Sequence, residues 1–452
     1  MTIPIKEVDL VIREAAILTD GGAATGREIH IRDGRVVEVG PPGQVAAAPG
    51  AAVIEASGRW VVPGLIDSHV HLGGTGVPGR DEGEHTDPVR ARPRLEDHLA
   101  FGVTTVADLF GHPPAMFARR AAAVASPGSL PRVLAAGQGI TSPGGHPGST
   151  AYAWSKTLAA SAALETDDPA QARAHVRRLA EADHADLVKV TCSDLRGRVA
   201  RLSPATLRAI VGQAHDCGLR VLAHVHTDAD ALLAVGAGVD GIEHVPAGPR
   251  VRQVFDAMAE AGTVWTPTLA VMEALAHADS PRTYLDEAYP GLPARLQPSA
   301  RALTLAEGEQ ARTRAAAARR ILTAMLDGGV AQAAAAGVRI AAGTDAGNSY
   351  APHGWSLHRE LHLLRRAGLG SDAVLAAATH VAAGKLGRLH AGLGRIISDG
   401  AADLLILRAD PRHSTGALAR PDLIIAAGRI LQPDHDPQSW HSSGQSPAPA
   451  RG

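Results

Sequence analysis

The sequence contains few cysteines and few lysines. Its 452 residues include only two cysteines, Cys192 and Cys217, which are too few for a disulfide framework and do not form a Cys-x-x-Cys spacing. A small disulfide-stabilised domain is therefore excluded, and a reducing compartment, the cytoplasm, is expected. Lysine occurs only at Lys6, Lys156, Lys189 and Lys385. Any lysine within an apolar run is therefore conspicuous.

A strong charge imbalance and a long hydrophobic run are also missing. The formal net charge is −2, with 20% charged and 45% hydrophobic residues, which argues against binding to nucleic acid or to a membrane surface. No stretch of about 18 apolar residues occurs, and the N-terminus MTIPIKEVDLVIREA lacks the basic and apolar regions of an export signal. We expect a small molecule as the partner, and whether the chain forms a homo-oligomer stays open.

Glycine, proline and aspartate divide both ends of the chain into short apolar runs. Residues 5–62 and residues 402–432 are typical of short antiparallel strands with turns between them. Because neither fragment is stable alone, we expect the two to pair into one small β domain. The tail from about Pro433 onward ends SSGQSPAPARG and is predicted to be disordered.

Between these ends, apolar β-like runs alternate with Ala-rich and Arg-rich helical stretches, which is typical of a parallel sheet. Eight strands are predicted, near residues 65–71, 103–108, 132–139, 186–191, 219–225, 239–244, 262–268 and 338–344. Eight strands favour a closed (β/α)₈ barrel over an open sheet. Three connections are longer than a βα unit requires and are predicted to be functional loops: residues 73–98, 141–165 and 270–300.

His69 and His71 stand two residues apart at the end of the apolar run VVPGLIDSHVHL. Successive strand residues point to opposite faces, so the two imidazoles share one face and can reach one cation. The run before them suits a strand that is buried on both faces. Two histidines alone are not a metal site, and a pair of satisfied loop histidines is the competing interpretation.

Five predicted strands end in ligand-type residues. These are His69 with His71, Lys189 in DLVKV, His224 in RVLAHVH, His244 in GIEHV and Asp345 in AAGTDAG. Side chains at the C-terminal tips of barrel strands converge on one mouth, so this order predicts a metal site. His226 competes with His224, because both share one strand face. Each residue alone has an ordinary explanation, such as a snorkelling lysine or a turn aspartate.

These motifs, together with FGVTTVAD, ITSPGGHPG, WTPTL and LGRIISDGAADLLIL, resemble the amidohydrolase superfamily. The resemblance spans nearly the whole chain and is closest to the imidazolonepropionase-like, prolidase-like (Xaa-Pro dipeptidase-like) group of metal-dependent hydrolases. It implies an α/β fold, a distorted (β/α)₈ TIM barrel with a β-sandwich built from both chain ends. The implied boundaries are 1–62 and 392–432 for the sandwich, 63–391 for the barrel and 433–452 for the tail.

The resemblance also implies a binuclear centre. His69, His71 and Asp345 would hold the more buried metal, and His224 and His244 would hold the second. Lys189 would bridge the metals as an N6-carboxylated lysine, because an ammonium cannot ligate and burial favours the neutral amine that adds carbon dioxide. With nitrogen and oxygen ligands and no thiolate, zinc is expected, while manganese, cobalt and iron stay open.

Such a pair of cations predicts hydrolysis. Two metals roughly 3.5–4 Å apart share one water and lower its pKa towards neutrality, so hydroxide is available without a strong base. Asp345 would accept the proton of this water and pass it to the departing amine. The expected reaction is cleavage of an amide-type C–N bond in a peptide-like or N-acyl amino acid small molecule.

Four further residues are candidates for substrate binding. Glycines around His146 in SPGGHPG allow close approach to a ligand, and His353 in YAPHGWS follows Asp345 closely, although a helix-entry role fits it equally. The chain reads VTCSDLRGRVA where prolidase-like members continue into a Gly-rich stretch. Arg196 and Arg198 there would bind a substrate carboxylate, with surface arginines as the alternative.

Other functions compete with this hypothesis. A lactone, carbamate or cyclic amide hydrolase would use the same machinery. A deaminase is disfavoured, because such enzymes place a glutamate three residues after the fifth-strand histidine, whereas Thr227 follows His224 at that spacing. A catalytically silent scaffold of the same fold is the alternative from another class, and the complete set of ligand-type residues argues against it.

Overall fold

The computed structural model of the protein describes residues 10–19, 22–43, 50–74, 81–195, 197–289, 309–348, 351–387 and 392–432. Arg196 and the predicted disordered tail lie outside the described residues. The strands, in chain order, are β1 (Leu10–Thr19), β2 (Gly22–Arg32), β3 (Arg35–Gly40), β4 (Ala52–Glu55), β5 (Trp60–Pro63), β6 (Leu65–Val70), β7 (Val103–Asp108), β8 (Arg132–Ala135), β9 (Gly139–Thr141), β10 (Ala163–Glu165), β11 (Val188–Thr191), β12 (Val221–His224), β13 (Gly241–Glu243), β14 (Val264–Thr266), β15 (Leu404–Leu407), β16 (Leu423–Ala426) and β17 (Arg429–Leu431).

Helices separate most strands of the central region. The α-helices span Gly83–Thr86, Arg92–Ala100, Pro113–Ala125, Lys156–Ala162, Pro169–Glu181, Pro204–Asp216, Asp228–Gly236, Val251–Ala261, Leu269–Ala276, Pro281–Ala288, Glu309–Ala324, Val330–Ala335, Trp355–Arg366, Ser371–Ala377 and His380–Lys385. Short 3₁₀ helices occupy Val89–Ala91 and Thr415–Ala417, and a π-helical turn occupies Met325–Gly329. Among the described residues, no helix is long and apolar enough to span a membrane.

Local sequence chemistry sets where several of these helices begin. Asp168 and Ser203 accept hydrogen bonds from backbone N–H groups of the first turn, and a proline follows each of them. Thr227 forms a capping box with Asp230, in which each side chain accepts a hydrogen bond from the other residue's backbone. Such caps satisfy backbone donors that have no partner within the helix. The helix that follows β12 is thereby fixed directly after the tip that carries His224.

One sheet combines strands from both ends of the chain. Its order is β17-β16-β15-β5-β1-β2-β3, with β4 beside β1. β15 pairs antiparallel with β5, so that Leu404 lies opposite Pro63 and Leu407 lies opposite Trp60. Buried side chains such as Ile12 and Ile406 share one hydrophobic cluster. The short apolar runs at the two chain ends therefore fold against each other.

The central region contains two parallel sheets, with orders β10-β9-β11-β12-β13-β14 and β6-β7-β8. The strand and helix alternation of the sequence thus gives a mixed α/β fold with parallel sheets. Isolated parallel bridges join Trp265 to Ile340 and Val70 to Ala346. The stretch after residue 338 therefore contacts the last strand of one sheet and the first strand of the other.

Two features differ from the expected strands. Residues 338–344 carry an isolated bridge at Ile340 instead of a regular strand, because the following backbone turns sharply, with φ of 58° at Asp345 and 102° at Gly347. The predicted loop 141–165 is framed by β9 and β10, which pair with each other in parallel. These pairings join residues about 24 positions apart, which the local pattern of apolar residues does not indicate.

Candidate metal centre

The tip of β6 is tied to the segment that carries Asp345. The N–H of Asp345 donates to the carbonyl of His69 at 2.8 Å, and the N–H of His71 donates to the carbonyl of Ala346 at 2.8 Å. All six residues of β6 are buried. Residues more than 270 positions apart in the sequence are therefore held together by backbone hydrogen bonds, and three ligand-type side chains are brought to one point.

His69, His71 and Asp345 form a compact group of possible ligands. One ligand atom from each lies within 4.8 Å of the other two, and all three residues are buried. Asp345 Oδ1 lies 3.0 Å from His71 Nε2 and 3.4 Å from His69 Nε2. Two imidazole nitrogens and a carboxylate oxygen at this spacing suit a divalent cation.

His244, His224 and Lys189 extend this group on three neighbouring strands. The ring of His244 lies 4.9 Å from that of His69 and 4.4 Å from that of His224, measured between centroids. His244 Nδ1 is 3.9 Å from Asp345 Oδ2. Lys189 lies on β11, is 1% exposed, and influences the pKa of His69, His224 and His244 through its charge. The structure therefore gathers all six predicted ligand residues.

The donor atoms of this group fit a metal. Buried polar atoms normally have hydrogen-bond partners, and a buried atom without one costs about 1–3 kcal/mol. Several metal-facing candidates are buried and make no hydrogen bond: His69 Nε2, Lys189 Nζ, His224 Nε2 and Asp345 Oδ1. Bound cations would satisfy the imidazole and carboxylate atoms, and carboxylation would give Lys189 oxygen ligands.

Burial sets the protonation of these side chains. It lowers the pKa of His69, and it lowers the pKa of His224 and His244 well below the ordinary value, so the imidazoles keep free lone pairs at neutral pH. Burial also lowers the pKa of Lys189 to about 8. Although burial alone would raise the pKa of Asp345, the neighbouring histidines, His69 first, hold it well below the usual range. Neutral imidazoles and an ionised carboxylate are the forms that bind metals.

Two ligand candidates occupy left-handed backbone, with φ of 71° at His244 and 58° at Asp345. A residue other than glycine in this region costs roughly 1–2 kcal/mol. Such outliers concentrate at functional sites, where the surrounding structure holds them. Both residues directly follow a buried segment, so the turn ends the segment and leaves the side chain among the other candidates.

Glu243 and Lys385 lie next to the group and were not predicted from the sequence. His69 Nδ1 is 2.6 Å from Glu243 Oε2, and Lys385 Nζ is 2.7 Å from Glu243 Oε1. Burial alone would raise the pKa of Glu243, but Lys385 and His69 hold it well below the usual range. Two signals were available: Lys385 is one of four lysines, and Glu243 directly precedes His244 in GIEHV.

Asp67 was also missed and serves the architecture of β6. Its carboxylate accepts hydrogen bonds from Thr344 Oγ1 at 2.6 Å and from the N–H of Thr344 at 3.0 Å. It also accepts from the N–H of His69 at 3.3 Å. Burial raises the pKa of Asp67 to about 7. These bonds are a second link between the two segments that carry His69 and Asp345.

The predicted substrate-binding residues have different environments. The ring of His146 stacks on that of His224 at 4.6 Å, so this loop histidine reaches the group. His353 instead lies against His98, with 3.2 Å between His98 Nε2 and His353 Nδ1. Arg198 has an exposed side chain. The structure thus brings His146 into contact with a ligand candidate.

His226 and Phe110 complete the surroundings. The ring of His226 lies 4.5 Å from that of His224, and its Nδ1 is 2.9 Å from Ser193 Oγ. The ring of Phe110 lies 4.3 Å from that of His71 and 6.2 Å from that of His146. His224 is in contact with both His244 and His146, which is consistent with the preference for His224 over His226 as ligand; that choice stays a prediction.

Gly347 permits the close approach behind His71. Its φ is 102°, and an added Cβ would lie 2.2 Å from the carbonyl oxygen of His71. We expect Gly347→Ala to lower the free energy of unfolding by more than about 2 kcal/mol, because strain and a backbone clash combine. Urea unfolding of the metal-free protein measures this.

Gly212→Ala is the matched control for that substitution. Gly212 lies in a helix, and an added Cβ would meet nothing within 4 Å. It should be neutral or stabilise the protein by up to about 1 kcal/mol. Equal effects of the two substitutions would show that the backbone at Gly347 tolerates a side chain.

Much of the chain matches a known protein family. The amidohydrolase family model matches residues 60–431. The chain belongs to the amidohydrolase family. An uncharacterised protein of Mycobacterium tuberculosis (strain ATCC 25618 / H37Rv) is 30% identical to this amidohydrolase over 381 residues, which are 83% of this chain and 86% of that protein.

Two solved structures share the fold of this amidohydrolase. A Xaa-Pro dipeptidase with methionine bound in its active site has a TM-score of 0.72 at 22% identity, covering 94% of this chain and 100% of that chain. A. niger ochratoxinase has a TM-score of 0.72 at 21% identity, covering 94% and 96%. The predicted resemblance to the amidohydrolase superfamily is confirmed. The family supports a metal-dependent hydrolase of C–N bonds.

Proposed function

We propose that this amidohydrolase is a binuclear metal-dependent hydrolase that cleaves an amide-type C–N bond of a peptide-like or N-acyl amino acid small molecule. One observation carries the proposal. Six buried ligand-type side chains meet at adjoining strand ends, and several of their metal-facing atoms make no hydrogen bond. In a catalytically silent scaffold, burial of these polar atoms without partners would lower stability and bring no function in return.

We propose a closed (β/α)₈ barrel as the frame of the site. The stretch after β14 supports this by lying between two sheets. The N–H of Ala341 donates to the carbonyl of Trp265 at 2.8 Å, and the N–H of Ser68 donates to the carbonyl of Ala342 at 3.1 Å. The eighth position of the barrel would thus be filled by an irregular segment, which fits the distorted barrel that the motifs imply.

A second contact supports closure on the opposite side, where the N–H of Asp186 donates to the carbonyl of Ala135 at 3.0 Å between β8 and β11. The proposed domain boundaries remain those of the motifs, 1–62 and 392–432 for a β-sandwich and 63–391 for the barrel. The sheet that joins both chain ends supports them. The scarcity of cysteine supports a cytoplasmic location.

In the proposed centre, His69, His71 and Asp345 would hold one ion, and His224 and His244 would hold the other. Lys189, as a carbamate, would supply oxygen ligands to both. Its burial and its pKa of about 8 leave a larger fraction of neutral amine at neutral pH than an exposed lysine has. The nitrogen and oxygen donors suit zinc.

Bound divalent ions would supply Lewis acidity and lower the pKa of a water. Asp345 accepts the proton of the attacking water and delivers it to the leaving nitrogen. The low pKa of this carboxyl group in the metal-free site keeps it ionised at neutral pH. The position of Asp345 beside His71 and His244 supports a proton transfer at the centre of the group.

His146 is proposed to contact the substrate carbonyl. Its stacking on His224 supports this, and burial lowers the pKa of His146 to about 3, so its imidazole is neutral. A neutral imidazole can donate one hydrogen bond to a carbonyl oxygen. Arg198 and His353 are proposed as weaker contributors, because one is exposed and the other faces His98.

A substrate panel tests the proposed function. Metal-stripped and zinc-reloaded protein would be incubated with dipeptides, N-acyl amino acids, lactones and carbamates, and product release would be followed by mass spectrometry. We expect zinc to raise hydrolysis of an amide substrate by more than about 100-fold, since Lewis acid catalysis supplies several kcal/mol. Asp345→Asn protein purified in parallel controls for other hydrolases. Hydrolysis of lactones alone, or equal rates without metal, would contradict the proposal.

A further inference from the structure

A second, fully buried layer lies behind the candidate metal ligand His69. It consists of Glu243 and Lys385, together with the hydroxyl groups of Ser68 and Thr266. The exposed fractions of Glu243, Ser68 and Thr266 are 0%, and that of Lys385 is 1%. Two opposite charges in such a place are costly to desolvate unless they are paired and bonded on all sides. Their presence there therefore calls for a reason beyond packing.

The donor and the acceptor of each hydrogen bond in this layer can be assigned. Lys385 Nζ lies 2.7 Å from Glu243 Oε1, and it donates to Thr266 Oγ1 at 2.5 Å and to Ser68 Oγ at 3.1 Å. An ammonium group is a donor only, and a carboxylate is an acceptor only. Glu243 Oε2 therefore accepts from the N–H at His69 Nδ1, 2.6 Å away. While both groups are charged, this order of donors and acceptors excludes a His69 ring that lacks the proton on Nδ1.

We propose that Glu243 and Lys385 are positioning residues that fix the tautomer of His69 for metal binding. With the proton held on Nδ1, the lone pair of His69 is on Nε2. That atom is buried, makes no hydrogen bond, and lies 3.4 Å from Asp345 Oδ1. Carboxylate partners commonly orient metal-ligating histidines in this way. The inference rests on the proposed role of His69 as a ligand.

The role of Lys385 becomes clear when the charge of Glu243 is removed. In Glu243→Gln the new carboxamide has one acceptor and one donor end. Lys385 is a donor, so it holds the carboxamide oxygen and leaves the NH₂ group facing His69 Nδ1. The imidazole then accepts at Nδ1 and carries its proton on Nε2. This is the wrong tautomer for a ligand.

Removing Lys385 as well should reverse this defect. In the double variant Glu243→Gln/Lys385→Met, no ammonium holds the carboxamide oxygen, so the group can turn and accept from His69 Nδ1. The proton returns to Nδ1, and Nε2 is free again. The second substitution should therefore raise the affinity for metal. If the pair had a merely structural role, the second substitution should lower this affinity further.

The experiment measures zinc affinity by competition with a chromophoric chelator, using the full metal-stripped chain. We expect Glu243→Gln to weaken zinc binding about 10–100-fold, as loss of second-layer partners typically does. The double variant should regain at least about tenfold of that loss, because the correct tautomer returns. Glu360→Gln is the matched control. Glu360 is equally buried, but its Oε2 accepts from the N–H of Ala270, so zinc affinity should not change.

Either of two results overturns the inference: unchanged zinc affinity in Glu243→Gln, or a double variant that binds no better than the single one. Histidine ¹⁵N shifts of the metal-free wild type supply a test that does not depend on the Glu243 variants, with His69 assigned by its loss in His69→Gln. We expect a protonated Nδ1, and a proton on Nε2 instead would refute the inference. Absence of zinc binding by the wild type would refute the proposed function, while the ¹⁵N shifts would still decide the tautomer.

Discussion

Lys189→Ala is expected to remove at least one metal ion per chain and to lower kcat/KM for an amide substrate by more than about 100-fold. Loss of outer partners alone typically costs 10–100-fold, and a ligand shared by two ions should cost more. The wild type, purified with bicarbonate and zinc, should carry about two ions per chain. Elemental analysis and initial rates measure the two effects.

Lys156→Ala is the control for that substitution, because Lys156 is an exposed lysine at the start of a helix. It should keep the full metal content and rate. A ¹³C signal from carboxylated lysine should appear in the wild type supplied with ¹³C-bicarbonate and vanish in Lys189→Ala. One ion per chain that is unaffected by Lys189 would indicate a mononuclear site and refute the bridging role.

Asp345→Asn is expected to lower kcat by about 10³-fold or more, because proton transfer by a positioned group contributes about 10²–10⁴-fold. An amide cannot accept the proton of the attacking water, although its oxygen still offers a weak ligand. The loss should exceed any loss of bound zinc. Rates measured at saturating zinc, together with metal content, separate the two contributions.

Asp403→Asn provides a comparison for loss of a buried carboxylate. Asp403 is 7% exposed, accepts a hydrogen bond from the N–H of Ala427 at 2.7 Å, and belongs to the region of the sheet that joins both chain ends. Its substitution should lower stability and leave the kcat of the folded protein unchanged. If Asp345→Asn retained kcat within about tenfold of the wild type, the proton-transfer role would be wrong.

Several strands and the residues gathered at the candidate site could be predicted from the sequence because their signals are local. The run VVPGLIDSHVHL combines an apolar strand with a two-residue histidine spacing, and β6 lies within it. The segments around Lys189, His224 and His244 likewise coincide with β11, β12 and β13 or their ends. Apolar runs determine strands, and the alternation of side chains determines which residues share a face.

The eighth strand was the weakest of these predictions. Residues 338–344 are apolar enough for a strand, yet the structure has only a bridge at Ile340 there. The turn at GTDAG competes with strand formation, because Asp345 and Gly347 both have positive φ there. The pattern of apolar residues within a segment does not predict a sharp turn in the segment that follows.

The sequence by itself determined the types and order of the candidate ligands: paired histidines, one lysine, two further histidines and an aspartate, each after an apolar run. Only the tertiary structure decided their partners. Glu243 contacts His69, 174 residues away, and also pairs with Lys385. His353 contacts His98. The physical reason is that strand formation depends on residues that are adjacent in the sequence. The hydrogen-bond partners of buried charges and imidazoles depend instead on which distant segments pack next to them.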